Sequence, residues 1–143
     1  MKCKKCKVVF WIIVVIAVGI QFIPVNRTNP PVIGEIEAPE EIMAILHRSC
    51  FDCHSNETKW PWYSYVAPAS WLVAKDVRDG RSHINFSEWV NYNSKQQKHK
   101  QEECGEMVAI GEMPLWFYLP LHSEATLSKE EIELIVTWSG LKE

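Results

Sequence analysis

The chain has 143 residues, 47% of them hydrophobic, and a formal net charge of -3. That length suits one domain plus a targeting segment, and so mild a charge gives no argument for a nucleic-acid partner. One run, residues 8–23, "VVFWIIVVIAVGIQFI", raises that apolar fraction, and the remainder, about 120 residues, is long enough for a small core.

The first seven residues, "MKCKKCK", hold four lysines. A basic start followed by an apolar run marks an export signal or a membrane anchor. As a helix the run of 16 residues spans roughly 24 Å, short against a hydrocarbon core of about 30 Å. The small-x-small triplet Ala17-Val18-Gly19 would suit cleavage, but Gly19 is followed by more apolar residues, so an uncleaved anchor is favoured. The lysines should then stay inside and Asn26 onward should lie on the periplasmic side of the cytoplasmic membrane, anchored or secreted. Cys3 and Cys6 read as reduced bystander thiols, with no further ligands nearby.

Residues 1–23 thus form a signal or signal-anchor, residues 24–38 a proline-rich extended tether, and residues 39–143 the domain. Within the domain the pattern is all-α. Pro39-Glu40-Glu41 opens a first helix with Ile42, Ile45, Leu46 and Ser49 on one face. A short helix is expected in "ASWLVAKDVRDG", stopped by Gly80. Asn85 with Glu88 three residues on has capping-box spacing and predicts a helix through Trp89. Another helix is expected over 95–110, stopped by Gly111. The last is capped by Ser128 with Glu131, carries Ile132, Ile135, Val136 and Trp138 inward, and ends at Gly140. Long loops between short helices make sense if they wrap a large ligand that supplies part of the core.

Cys50-Phe51-Asp52-Cys53-His54 has the spacing of c-type haem attachment. Two thiols one helical turn apart can reach the two vinyl groups of a porphyrin and form thioethers. The residue after the second cysteine then lies beneath the ring, where His54 can donate a nitrogen to the iron. A CxxC disulfide does not require His54, and no thioredoxin-like βαβ pattern surrounds the pair. A zinc site needs four ligands, and a second Cys/His pair at close spacing is missing. The cofactor expected is one covalently attached haem c held by Cys50, Cys53 and His54.

A second axial ligand must come from far along the chain. Met107, Met113, His83, His99 and His122 are the candidates. Met113 leads, because it falls in a loop after a helix stop and before Pro114, whereas Met107 lies within a helix and reads as packing. His122, in the loop before the last helix, stays open as an alternative ligand or a propionate contact. His47 is a surface or supporting residue, His83 and His99 lie in polar stretches, and Cys104 is an extra thiol outside the motif.

The stretches "QFIPVNRTNPP", "CFDCHSNETKWPWYSYVAPASWLVAKDVRDGR", "NFSEW" and "GEMPLWFYLPLHSEATLS", with Trp138, resemble the bacterial haem-binding domain family of small exported c-type cytochromes. The resemblance runs from Gln21 nearly to the end. It implies a single covalent haem in a cytochrome c-like helical fold, with a Met-Pro loop late and an aromatic-bearing final helix. The expected function is a monohaem cytochrome that transfers one electron to or from a redox partner protein and is no enzyme. The alternative is a haem-based sensor or small-ligand-binding module with an open or labile sixth position; a peroxidase lacks a visible distal acid/base pair.

Overall fold

The computed structural model describes residues 4–141, so Cys3 of the N-terminal cysteine pair lies outside the described residues. The chain forms two compact units. Residues 1–28 with 60–76 make one, and residues 29–59 with 77–143 make the other. The architecture is all-helical, preceded by an apolar N-terminal helix, and among the described residues there is no strand, only an isolated bridge between Gly34 and Glu88.

In the first unit, helix α1 (Lys4–Gly19) buries none of its residues and continues into a 3-10 turn at Ile20–Phe22. Together, Lys4–Phe22 give 19 residues that are long and apolar enough to cross a membrane. That is about 28 Å of helix, longer than the apolar run alone and close to the thickness of a hydrocarbon core. In its last turn, Gln21 pairs with both backbone groups of Ala67: its Nε2 donates to the Ala67 carbonyl across 3.1 Å and its Oε1 accepts from the Ala67 N–H across 2.9 Å. Arg27 donates to the Ser64 carbonyl, 3.1 Å away, and lies 4.6 Å over the Tyr65 ring.

In the second unit, helix α2 (Glu40–Ser49) starts after Pro39 and buries Ile42, Ile45, Leu46 and Ser49, the face its spacing predicts. Helix α3 (Phe51–His54) follows at once. Helix α4 (Ala69–His83) contributes its residues from Val77 on. Helix α5 (Ser94–Ala109) is capped by Asn93 with Gln96, and helix α6 (Lys129–Ser139) by Ser128 with Glu131; both are complete capping boxes. Gly111 and Gly140 take left-handed φ values of 74° and 71° after the last two helices, which glycine adopts without penalty. Gly105 of α5 faces Ser139 of α6 so closely that a Cβ there would collide with it.

Two apolar clusters make the core. Ile36, Ile42, Leu46, Phe51, Ile84 and Phe86 form one, and Ile45, Val108 and Ile135 form the other; Cys104 packs against both. Each fully buried side chain of this kind contributes about 1.5–3 kcal/mol. Arg48 at the end of α2 meets Glu131 at the start of α6 across 2.8 Å.

Two local expectations change. Gly80 does not end α4, which runs on to His83. Asn85 does not cap a helix, and only a 3-10 turn forms, at Trp89–Asn91. Its Oδ1 accepts from the Ser87 N–H (3.1 Å) and its Nδ2 donates to buried Asn56 (2.9 Å), while Glu88 bonds Asn56 instead of closing the box. The proline-rich segment is also bonded to the domain, over residues 33–36. The N–H groups of Ile33 and Gly34 donate to the Ser87 carbonyl, Ile36 donates to Phe86, and Trp89 returns a bond to Gly34.

Candidate haem-binding site

Cys50 ends α2, its N–H bonding the Leu46 carbonyl. Its own carbonyl accepts from the N–H groups of Cys53 (3.2 Å) and His54 (2.9 Å), which closes one helical turn. Both cysteines are therefore presented from a single turn with His54 directly after. Buried Phe51 anchors that turn against Phe86, ring centroids 5.4 Å apart, and Ser55 Oγ donates back to the Phe51 carbonyl at 2.7 Å. None of Cys6, Cys50, Cys53 and Cys104 is in a disulfide.

His54 is held by the end of α4. Its Nδ1 lies 3.0 Å from the Gly80 carbonyl oxygen and 3.2 Å from that of Ile84. Two acceptors require Nδ1 to carry the proton, so the Nε2 lone pair is left to act as a ligand. Burial lowers the imidazole pKa, against the two carbonyls that raise it, and favours the neutral ring that binds metals. A histidine whose far nitrogen is tied to backbone carbonyls is the usual arrangement of a metal ligand.

The rest of the segment is fastened by side chains. Asp52 Oδ1 accepts from the Lys59 N–H (3.0 Å) and Oδ2 from the Tyr118 hydroxyl (2.9 Å). Arg81 donates to the Ser55 carbonyl (2.7 Å), to Thr58 Oγ1 (2.9 Å) and to Asn29 Oδ1 (3.0 Å). Thr58 Oγ1 in turn donates to the Asp52 carbonyl, at 2.7 Å. A Cβ on Gly80 would lie 2.6 Å from the Cys53 carbonyl oxygen. Only glycine lets α4 approach the cysteine turn so closely. Gly80, Ile84, Arg81 and Tyr118 were not among the expected site residues. A helical glycine and two backbone carbonyls carry no local sequence signal of such a role.

Burial pushes the Cys50 thiol well above the ordinary range, with Cys104 and then Cys53 adding to the effect, and raises the Cys104 thiol to about 11. Both sulfurs are kept as protonated thiols at neutral pH.

Met113 is half-buried in the turn after α5, where the N–H groups of Glu112 and Met113 both donate to the Met107 carbonyl. It packs against the Ile45, Val108 and Ile135 cluster. His122 stacks on Tyr118 at a centroid distance of 4.0 Å, and its Nδ1 lies 3.2 Å from Glu124 Oε1. Through Tyr118 and Asp52 it is linked to the cysteine turn, whereas Met113 is joined to the aliphatic cluster of α2, α5 and α6. His47, His83 and His99 are exposed. Among the described residues no three His, Cys, Asp or Glu side chains gather as a metal centre.

A neutral imidazole with its Nδ1–H secured, following two thiols on one turn, fits a haem. The fold and site define a small all-helical haem-binding protein. Residues 15–140 match the haem-binding domain family, and the chain belongs to it. No curated protein and no solved structure matches.

Proposed function

We propose that the chain is a membrane-anchored monohaem c-type cytochrome that passes single electrons on the periplasmic side of the cytoplasmic membrane. The observation that carries this reading is the pinning of His54 Nδ1 by the Gly80 and Ile84 carbonyls within the turn that bears Cys50 and Cys53. Haem, when bound, supplies an iron centre that cycles between two oxidation states one electron apart. Cys50 and Cys53 would hold it through thioethers, His54 Nε2 would be the proximal ligand, and Met113 the distal one, with His122 the alternative. The protein's part is to fix the imidazole, through Gly80 and Ile84, and to keep the cysteine turn rigid, through Asp52, Thr58, Arg81 and Tyr118. Rigid ligands keep the geometric change on electron transfer small. The reading makes the chain a carrier whose partner is a redox protein, with α1 holding it at the membrane.

A second reading, a haem-based sensor with a labile sixth position, draws on the packing of Met113 onto the aliphatic cluster. Visible spectra of the purified haem-loaded protein, with and without carbon monoxide, separate the two. The carrier reading predicts a six-coordinate reduced spectrum that carbon monoxide leaves unchanged at neutral pH, and a change of ligand state in Met113→Ala. Ready carbon monoxide binding by the unaltered protein would overturn it in favour of the sensor. An unchanged spectrum in Met113→Ala with a changed one in His122→Ala would transfer the ligand role to His122.

A further inference from the structure

A loop runs over residues 60–68, "WPWYSYVAP". It belongs to the same compact unit as α1. Pro61 leads into a 3-10 turn at Trp62–Tyr65, and Ser64 is fully buried beneath it. The outward side chains are large and apolar: Trp62 is 76% exposed, Tyr65 61%, Val66 47% and Leu72, one turn into α4, 49%. The loop is held firmly while it shows these groups. Gln21, at the end of the apolar helix, pairs with both backbone groups of Ala67, and Arg27 ties down Ser64 and covers one face of Tyr65. A cluster of exposed aromatic and aliphatic groups on a fixed loop marks an interaction surface.

We propose that this loop lies in the membrane interface, in the leaflet reached by the C-terminal end of α1, and forms a second contact between the protein and the bilayer. The proposal rests on the anchor reading of α1. The occupant of the surface follows from its continuity with that anchor. The Gln21–Ala67 pairing sets the loop at the last turn of a helix long enough to span the hydrocarbon, which is where headgroups begin. Tryptophan and tyrosine are the residues enriched at that depth, because each has an apolar body and one polar hydrogen-bonding group. Arg27 beside Tyr65 adds a cation at the level of lipid phosphates. The loop therefore fixes the tilt of the first unit on the bilayer, which a single helix followed by a free chain would not do.

The test uses full-length, haem-loaded protein in vesicles of phosphatidylethanolamine and phosphatidylglycerol. Photoreactive benzoylphenylalanine is placed at Trp62, at Tyr65 in a second variant, and at Trp11 within the apolar helix as a reference. After illumination, lipid adducts are read by mass spectrometry. The proposal predicts lipid adducts at positions 11, 62 and 65. Lipid adducts at 11 with none, or only protein adducts, at 62 and 65 would overturn the proposal and leave the anchor standing. No lipid adducts at any position, in protein whose spectrum shows it to be haem-loaded, would overturn the anchor reading and the loop contact with it.

Discussion

The Nδ1–H of His54 donates to the carbonyl oxygen of Gly80 across 3.0 Å, and Gly80 has no room for a side chain, because a Cβ would lie 2.6 Å from the Cys53 carbonyl oxygen. One glycine thus sets both the orientation of the imidazole and the separation between α4 and the cysteine turn.

Gly80→Ala weighs two effects against each other. Alanine in a helix gains about 1 kcal/mol over glycine. The new methyl meets a backbone carbonyl, which cannot swing aside, and overpacking of that kind costs about 1–3 kcal/mol. The expected outcome is a net loss of stability in urea unfolding and a lower yield of haem-loaded protein. An alanine variant as stable and as fully loaded as the parent would show that α4 does not pack on Cys53 in this way.

Arg81 reaches three acceptors on two segments, the Ser55 carbonyl, Thr58 Oγ1 and Asn29 Oδ1. A lysine keeps the charge but loses the planar fork that serves several acceptors at once. Arg81→Lys should cost about 1.5–3 kcal/mol, the range for hydrogen bonds to charged groups. Denaturant midpoints measure this, and a variant that unfolds at the parent midpoint would contradict it.

Glu131 ties α6 to α2. Its Oε2 accepts from the Ser128 N–H at 2.8 Å and its Oε1 meets Arg48 at 2.8 Å. The Ser128 N–H, and after it Arg48, hold the carboxyl below its ordinary value. The unfolded chain therefore takes up a proton first on acidification. The stabilisation is complete above the unfolded value, about 4.3, and is lost as the pH falls through the lower folded one. Parent protein should outlast Glu131→Gln in urea at pH 6, with the gap narrowing towards pH 3. The carboxylate is partly exposed, so added salt should narrow it too. A gap independent of pH would mean the charge contributes nothing.

Helices whose signals are local were legible in the sequence. The α2 face of Ile42, Ile45, Leu46 and Ser49 and the Ser128–Glu131 capping box each depend on residues within about two helical turns, and both form as the spacing predicts. Where the partner is distant, the same signals misled. Asn85 and Glu88 have capping-box spacing, but Asn56, 29 residues from Asn85, donates to the Glu88 carboxylate, and the Asn85 N–H that the box would have paired with it goes to the Tyr92 hydroxyl. Gly80 resembles a helix stop, and its actual constraint is the cysteine turn 27 positions earlier in the chain. Proline content marked residues 24–38 as an extended segment, but it could not reveal that residues 33–36 bond to residues 86–89. In the site, the Cys50, Cys53 and His54 motif was visible as a contiguous string, while the carbonyls that orient His54 have no residue identity to read.

The central claim is covalent attachment of haem at Cys50 and Cys53 with His54 beneath it. Intact-mass and peptide mass spectrometry of the protein matured in a haem-attachment host tests it most directly. The account predicts one added haem mass, located on the peptide that contains Cys50 and Cys53 and absent when both are replaced by serine. A matured chain of unmodified mass, or a haem that leaves under denaturing conditions, would contradict it.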